Sequence, residues 1–227
     1  MSLIHRRRFL AAAALAPLTG QAATAAPEFQ PTWPVISARE AMRKRHFPDL
    51  VLRTHTGKAV RLYEDLIKDK FVTINFMYIN CGDGTCPVTT YNLVMMQQLL
   101  KDRVGKDLFM YSITLDPERD TTQMLANYAD VHGVKPGWTF LRAEPRDTLL
   151  LRRSLGFLDR DPEVDAKKNT HTAMIRYGNE PRTFWGMASG VIAPDALSRS
   201  VLLADWPADR KAPPQLDRPA EKRRALA

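Results

Sequence analysis

The segment Phe71-Val-Thr-Ile-Asn-Phe-Met-Tyr78 is almost wholly apolar and has the length of a strand, not of a helix. An apolar run without alternation is the pattern of a strand buried on both faces, which needs helices packed above and below it. It leads straight into Ile79-Asn-Cys81-Gly-Asp-Gly-Thr-Cys86-Pro87, a loop that opens on one thiol and closes on another where a helix begins. These are the only 2 cysteines in the chain. Thiols at a strand end and a helix start read as near-surface groups that do chemistry, not as packing residues.

The flanking sequence supplies the rest of an α/β layer. A short helix near residues 38–45 lies in a Pro-rich stretch, followed by a β-hairpin over 50–62 that turns at 55–58. A helical turn covers 63–67. After the cysteine loop, Pro87 suits the first helical position, where its missing N–H costs nothing. Leu93, Met96, Leu99 and Leu100 then repeat at helical spacing. Strands are expected at 108–115, 138–142, 171–177 and 182–186, and helices at 123–132, 145–155 and 193–203. A charged loop fills 159–169 and a turn 177–182. After the hairpin the order is β-α-β-α-β-α-β-β-α. It predicts a thioredoxin-like mixed sheet flanked by helices on both faces, with an N-terminal β-hairpin.

The first residues read as an address. Arg6-Arg7-Arg8-Phe9-Leu10 precedes an Ala-rich apolar stretch, and Ala23-Thr24-Ala25 fits a small-residue cleavage site. That is the order of an export signal, and the paired arginines resemble the twin-arginine type. The expected division is a signal at 1–25, a linker at 26–46, one domain at 47–206 and a disordered basic tail at 207–227. The expected location is a bacterial periplasm. Of the formal net charge of +8, the signal's three arginines carry three; the remaining basic residues are scattered. Nucleic acid is not an expected partner, whereas the tail leaves contact with an anionic membrane surface open.

Three readings of the thiols compete. Two soft thiolates favour Cu(I), with Zn(II) the usual competitor, and need a further ligand. His46 in the linker and His55 on the hairpin turn read as solvent histidines, and His132 as a favourable cation at a helix C-terminus. His171 opens the strand that should lie beside the cysteine loop, and is the candidate third ligand with Cys81 and Cys86. The second reading is thiol–disulfide exchange, for which a helix N-terminus lowers a thiol pKa. The C-x4-C spacing, and Thr170-His171-Thr172 where a redox protein of this fold carries proline, count against a general oxidoreductase. The third is a structural disulfide, which over so short a ring would stabilise little.

Three separated stretches resemble the Sco/SenC family: residues 76–87, the segment Ser112-Ile-Thr-Leu-Asp116-Pro-Glu-Arg-Asp120-Thr121, and the strand from His171 to Tyr177. The resemblance implies a thioredoxin-like fold and a copper ion held by Cys81, Cys86 and His171. It also implies delivery to the copper-site subunit of cytochrome c oxidase or another copper acceptor, with a thiol reductant as a further partner. That is a metallochaperone more than an enzyme; some members act as thiol reductants, so a periplasmic thiol–disulfide reductase is the alternative. Asp116 should lie near the loop, with Asp120 a candidate helix cap. The family spacing is C-x3-C; here one residue is added in a loop with two glycines, and Asp83 contributes a carboxylate that either assists Cu(II) or faces solvent.

Overall fold

The computed structural model describes residues 36–165, 167 and 173–206. Seven strands form one sheet in the order β2-β1-β5-β4-β3-β6-β7. At its centre β3 (Phe71–Met77) pairs in parallel with β4 (Leu108–Thr114) and antiparallel with β6 (Met174–Asn179). All seven β3 residues are buried, the polar Thr73 and Asn75 among them, as a strand covered on both faces requires. β5 (Trp138–Arg142) continues the parallel set beyond β4. The hairpin β1 (Val51–Thr54) and β2 (Ala59–Arg61) adds antiparallel to β5, and β7 (Phe184–Ser189) closes the other edge on β6. The fold is the expected mixed sheet with an N-terminal β-hairpin.

Helices cover both faces. Ile175 and Arg176 point to opposite faces because strand side chains alternate. The Ile175 side carries α2 (Thr85–Leu99): the space beside Gly190 is bounded by both Thr89 and Ile175. There α6 (Pro194–Leu202) packs on α2, and α3 (Thr122–Val131) joins it through Thr90 and the Tyr128 hydroxyl, 3.0 Å apart. The Arg176 side carries α4 (Pro145–Leu155), whose last carbonyl accepts from the Arg176 guanidinium at 2.7 Å. α1 (Ala38–His46) packs against α4, and His46 Nδ1 meets the Ser154 carbonyl at 2.9 Å.

Several boundaries differ from expectation. β6 runs on to Asn179, and a 3₁₀ turn at Glu180–Arg182 pushes β7 to Phe184–Ser189, because Pro181 cannot supply a ladder N–H. The charged loop holds a short helix, α5 (Pro162–Asp165), tied to α4 by an ion pair between Arg152 and Asp165. The helical turn after β2 is π-helical, Leu62–Ile67. His46 and His55 are pins, not solvent groups: His55 Nδ1 accepts the Phe140 N–H at 3.1 Å, joining the hairpin to β5. His132 caps α3 and packs its ring, tilted by 44°, against Tyr128 with ring centres 4.3 Å apart. Its burial lowers its pKa, which works against the cation expected there. The expected signal at 1–25, the expected strand opening at His171 and the expected tail from 207 lie outside the described residues. No described helix is long and apolar enough to cross a membrane.

Candidate functional site

The cysteine loop leaves the buried end of β3 between its two neighbours. Leu115 donates its N–H to the Met77 carbonyl at 2.8 Å, so β4 is fastened to β3 up to the strand's last residue. Beyond it, the Asp120 carboxylate accepts from the Ile79 N–H at 3.2 Å and from the Thr114 hydroxyl. Asp120 is 1% exposed. It therefore anchors the segment two residues before Cys81 instead of capping α3; Thr121 does that, its hydroxyl accepting the Met124 N–H. Asp116 is also buried where β4 ends.

The loop turns through Gly84, whose φ of 76° is a left-handed conformation open to glycine at little cost. Helix α2 then begins at Thr85, so Pro87 is the third helical residue, not the first. Asp83 sets that start: its Oδ1 accepts the Thr85 N–H at 2.9 Å and the Cys81 thiol at 2.9 Å. Asp83 thus faces the first thiol and the helix start together. Starting α2 two residues early rotates Cys86 inwards, where it is 2% exposed. This corrects the expectation that both thiols are near the surface; only Cys81 is part-exposed.

The helix N-terminus acts on Cys81. The Cys86 N–H donates to Cys81 Sγ at 3.3 Å, and the Tyr78 hydroxyl also bonds this sulfur. Burial, followed by the charge and hydrogen bond of Cys81, pushes the Tyr78 pKa up to about 12. Cys86 moves opposite to expectation. Burial first, then its hydrogen bond with Cys81, raise its thiol well above the ordinary 9.0, outweighing a bond from the Tyr78 backbone. A free N–H dipole lowers a thiol pKa only where the sulfur is not itself desolvated. Neither cysteine is in a disulfide, and the two are in hydrogen-bond contact. Tyr78 and Asp120 were not singled out as site residues from sequence; their only signal is position, just before the loop and just after β4.

This asymmetry gives a first prediction. Iodoacetamide should alkylate Cys81 of the reduced native protein at least ~10-fold faster than Cys86 at neutral pH, read by peptide mass mapping. Equal rates would mean that Cys86 is not held in the core.

Among the described residues no three His, Cys, Asp or Glu side chains are grouped to hold a metal ion. His171 lies outside those residues, so the cysteines are the part of the expected set that the fold brings together. A cavity of about 480 Å³ opens at Leu115–Glu118, against α4 and α5, and neither cysteine lines it. The thiol pair lies apart from this cavity.

A strand–thiol loop–helix unit in a mixed sheet with a terminal antiparallel pair defines a thioredoxin-like protein with a dithiol site. Residues 39–139 match the SCO1/SenC family model, a stretch that holds both cysteines, Asp116 and Asp120 and ends before His171. Arabidopsis thaliana ScoI with copper bound is similar at 22% identity, over 70% of this chain and 98% of that one, with a TM-score of 0.56. A SCO1/SenC family lipoprotein from Bacillus anthracis matches at 18% identity over 70% and 95%, with a TM-score of 0.58. BsSco, a Sco family cytochrome c oxidase assembly protein in which a disulfide switch was identified, matches at 21% over 70% and 93%, with a TM-score of 0.57. No curated protein matches this sequence. The Sco/SenC resemblance read from the cysteine loop and the 112–121 segment is borne out by the family match, and the thioredoxin-like fold by the solved structures.

Proposed function

We propose that the chain is an exported copper-binding protein that holds copper by Cys81, Cys86 and His171 and delivers it to a respiratory oxidase copper site. The observation that carries this reading is the pair of reduced sulfurs in contact at the end of β3. Two soft donors side by side, one open to a partner, suit Cu(I) and its transfer by ligand exchange. His171 is supported by connectivity: it precedes the described start of β6 at Met174 by three residues. β6 runs antiparallel to β3, so its beginning lies at the sheet end where the cysteine loop leaves. Copper-bound relatives of the same fold add to the case.

The residues divide the work. Cys86, protonated at rest and buried, must release a proton when it ligates, which ties loading to pH. Cys81 is the exposed sulfur through which cargo would pass. Tyr78 and the Cys86 N–H hold that sulfur in place, and Asp120 fixes the backbone leading to it.

The test is a Cu(I) titration of the reduced, signal-free protein against a competing chelator, repeated with His171→Ala. One-to-one binding weakened at least ~100-fold by the substitution, with an unchanged folded spectrum, is the expected result. Unchanged affinity would remove His171 from the site.

A second reading, periplasmic thiol–disulfide reductase, is favoured by one observation: an exposed sulfur facing a helix N-terminus with a buried thiol behind it. The Cys81 thiolate would attack a substrate disulfide and expel one thiolate. Cys86, losing its proton, would then displace the second, leaving a Cys81–Cys86 disulfide and a reduced substrate. Turnover without copper, insensitive to His171→Ala, would select this reading.

A further inference from the structure

Helix α2 differs from every other described helix in having no charged residue along Thr85–Leu99. α1, α3, α4, α5 and α6 each carry at least one. The difference falls on the outward face. Pro87 is exposed, Val88 is 48% exposed and Tyr91 is 61% exposed, with Val94 and Met95 half-buried and Gln98 exposed one and two turns on. Positions 87/88, 91, 94/95 and 98 form one stripe at helical spacing. It begins at the residue after Cys86 and runs away from the thiol pair. A second element extends it. The buried Asn92 side chain donates to the carbonyls of Gly190 at 2.8 Å and Ile192 at 3.0 Å. This locks the β7–α6 loop to α2, and Val191, between the two tied residues, is 49% exposed.

On the other helices exposed apolar side chains sit among charges: Leu149 and Leu150 share α4 with Arg146, Arg152 and Arg153, and Val131 follows Asp130; Phe184 and Met187 are exposed on the edge strand β7. In a chain with 33 basic and 25 acidic residues, a charge-free helix face about three turns long that starts one residue after Cys86, with the Asp83 carboxylate at its thiol end, is not a solvated surface like the rest.

We propose that this face, Pro87, Val88, Tyr91 and Val191 at its centre, is the docking surface for the protein that exchanges copper or electrons with Cys81, and that the partner presents an uncharged apolar rim around its own thiols. The proposal rests on the carrier or reductase reading of the dithiol. The occupant follows from two facts. The stripe begins at Pro87, next to Cys86, whose N–H meets the part-exposed Cys81 sulfur, so a protein that reaches Cys81 comes beside Pro87 and Val88. From Pro87 to Gln98 the stripe offers no charge to pair, so an acidic or basic partner surface would be desolvated against it without compensation; the Asp83 carboxylate beside it is engaged with the Cys81 thiol and the Thr85 N–H. Tyr91, rigid and amphipathic, has the character of an interface anchor. The Asn92 lock keeps the two halves of the surface aligned, which spares ordering cost on binding.

The test uses the reduced, metal-free chain and, as probe, the soluble reduced domain of the same organism's oxidase subunit that carries the dinuclear copper site, with affinity measured by calorimetry. Val88→Glu with Tyr91→Glu should weaken the complex at least ~10-fold, and Tyr91→Lys should weaken it too, since either sign is unpaired. The wild-type affinity should change less than about threefold between ~0.05 and ~0.5 M salt. Val131→Glu on α3 is the control and should change nothing. No wild-type complex, equal affinity in the Glu variant, or tighter binding by either charged variant would overturn the proposal. Cu(I) titration of the same variants keeps the two readings apart: the docking variants should retain full copper affinity, whereas failure of the wild type to bind copper counts against the carrier reading alone.

Discussion

Glu180→Ala is expected to lower the stability of the domain by about 3 kcal/mol, read from the denaturant midpoint at neutral pH. Glu180 is 3% exposed and sits in the turn between β6 and β7. Its Oε1 accepts the Tyr63 hydroxyl at 2.8 Å, its Oε2 accepts the Asp69 N–H at 2.9 Å, and Arg39 of α1 grips both oxygens. One carboxylate therefore joins α1, the π-helical turn, the chain two residues before β3 and the sheet edge. Truncation leaves a buried hydroxyl and an N–H without acceptors, while Arg39, 40% exposed, recovers water. The pH dependence has a definite sign. Burial alone would raise the Glu180 pKa, but the bonds from Arg39, Asp69 and Tyr63 outweigh it and hold the group below its ordinary 4.5. A folded pKa below the unfolded one means the stabilisation is complete above the ordinary value and is lost as pH falls through the lower, folded one. The gap between wild type and Glu180→Ala should therefore be constant at neutral pH and shrink below about pH 4. A gap that persists unchanged to pH ~2 would show that packing, not the charge, is what Glu180 contributes.

Asp120→Ala is the second large effect. The Thr114 hydroxyl, fully buried, and the Ile79 N–H would both lose their acceptor, a cost of about 3 kcal/mol together. The more telling readout is local. Ile79 is the last backbone group fastened before Cys81, so releasing it loosens the sulfur geometry, and Cu(I) affinity should fall at least ~10-fold. The alkylation difference between Cys81 and Cys86 should shrink in the same variant. Asp120→Asn keeps an oxygen at the same place and should restore most of the stability. Loss of stability with unchanged copper affinity and unchanged labelling would reduce Asp120 to a support of β4.

Much of the fold is legible because burial writes itself into composition. β3 is readable as a strand covered on both faces since only Thr73 and Asn75 interrupt its apolar residues, and both are buried with the rest. β5 at Trp138–Arg142 and α4 at Pro145–Leu155 fall where expected, the latter because a proline opens it and Gly156 at φ 81° ends it. The edge was harder. Placing β7 at Phe184–Ser189 depends on how far β6 pairs with β3, which local pattern does not encode.

The site divides the same way. The sequence by itself determined that both thiols stand at the end of a central strand and the start of a helix, because that order is a matter of chain connectivity. It also indicated a strand running back beside them, opened at His171 by the sequence pattern; the described strand begins at Met174. Tertiary structure alone decided which thiol is available. Cys81 and Cys86 are alike on paper, and the Asp83-Gly84-Thr85 start of α2 turns one into the core and leaves the other at the rim. A shift of two residues in a helix start is a rotation of about 200°, enough to reverse which side chain meets solvent. Likewise, two adjacent residues, Asp120 and Thr121, are both able to cap α3 by chemistry; only the packing of Asp120 against Thr114 and Ile79 assigns the cap to Thr121 and the cysteine-loop anchor to Asp120.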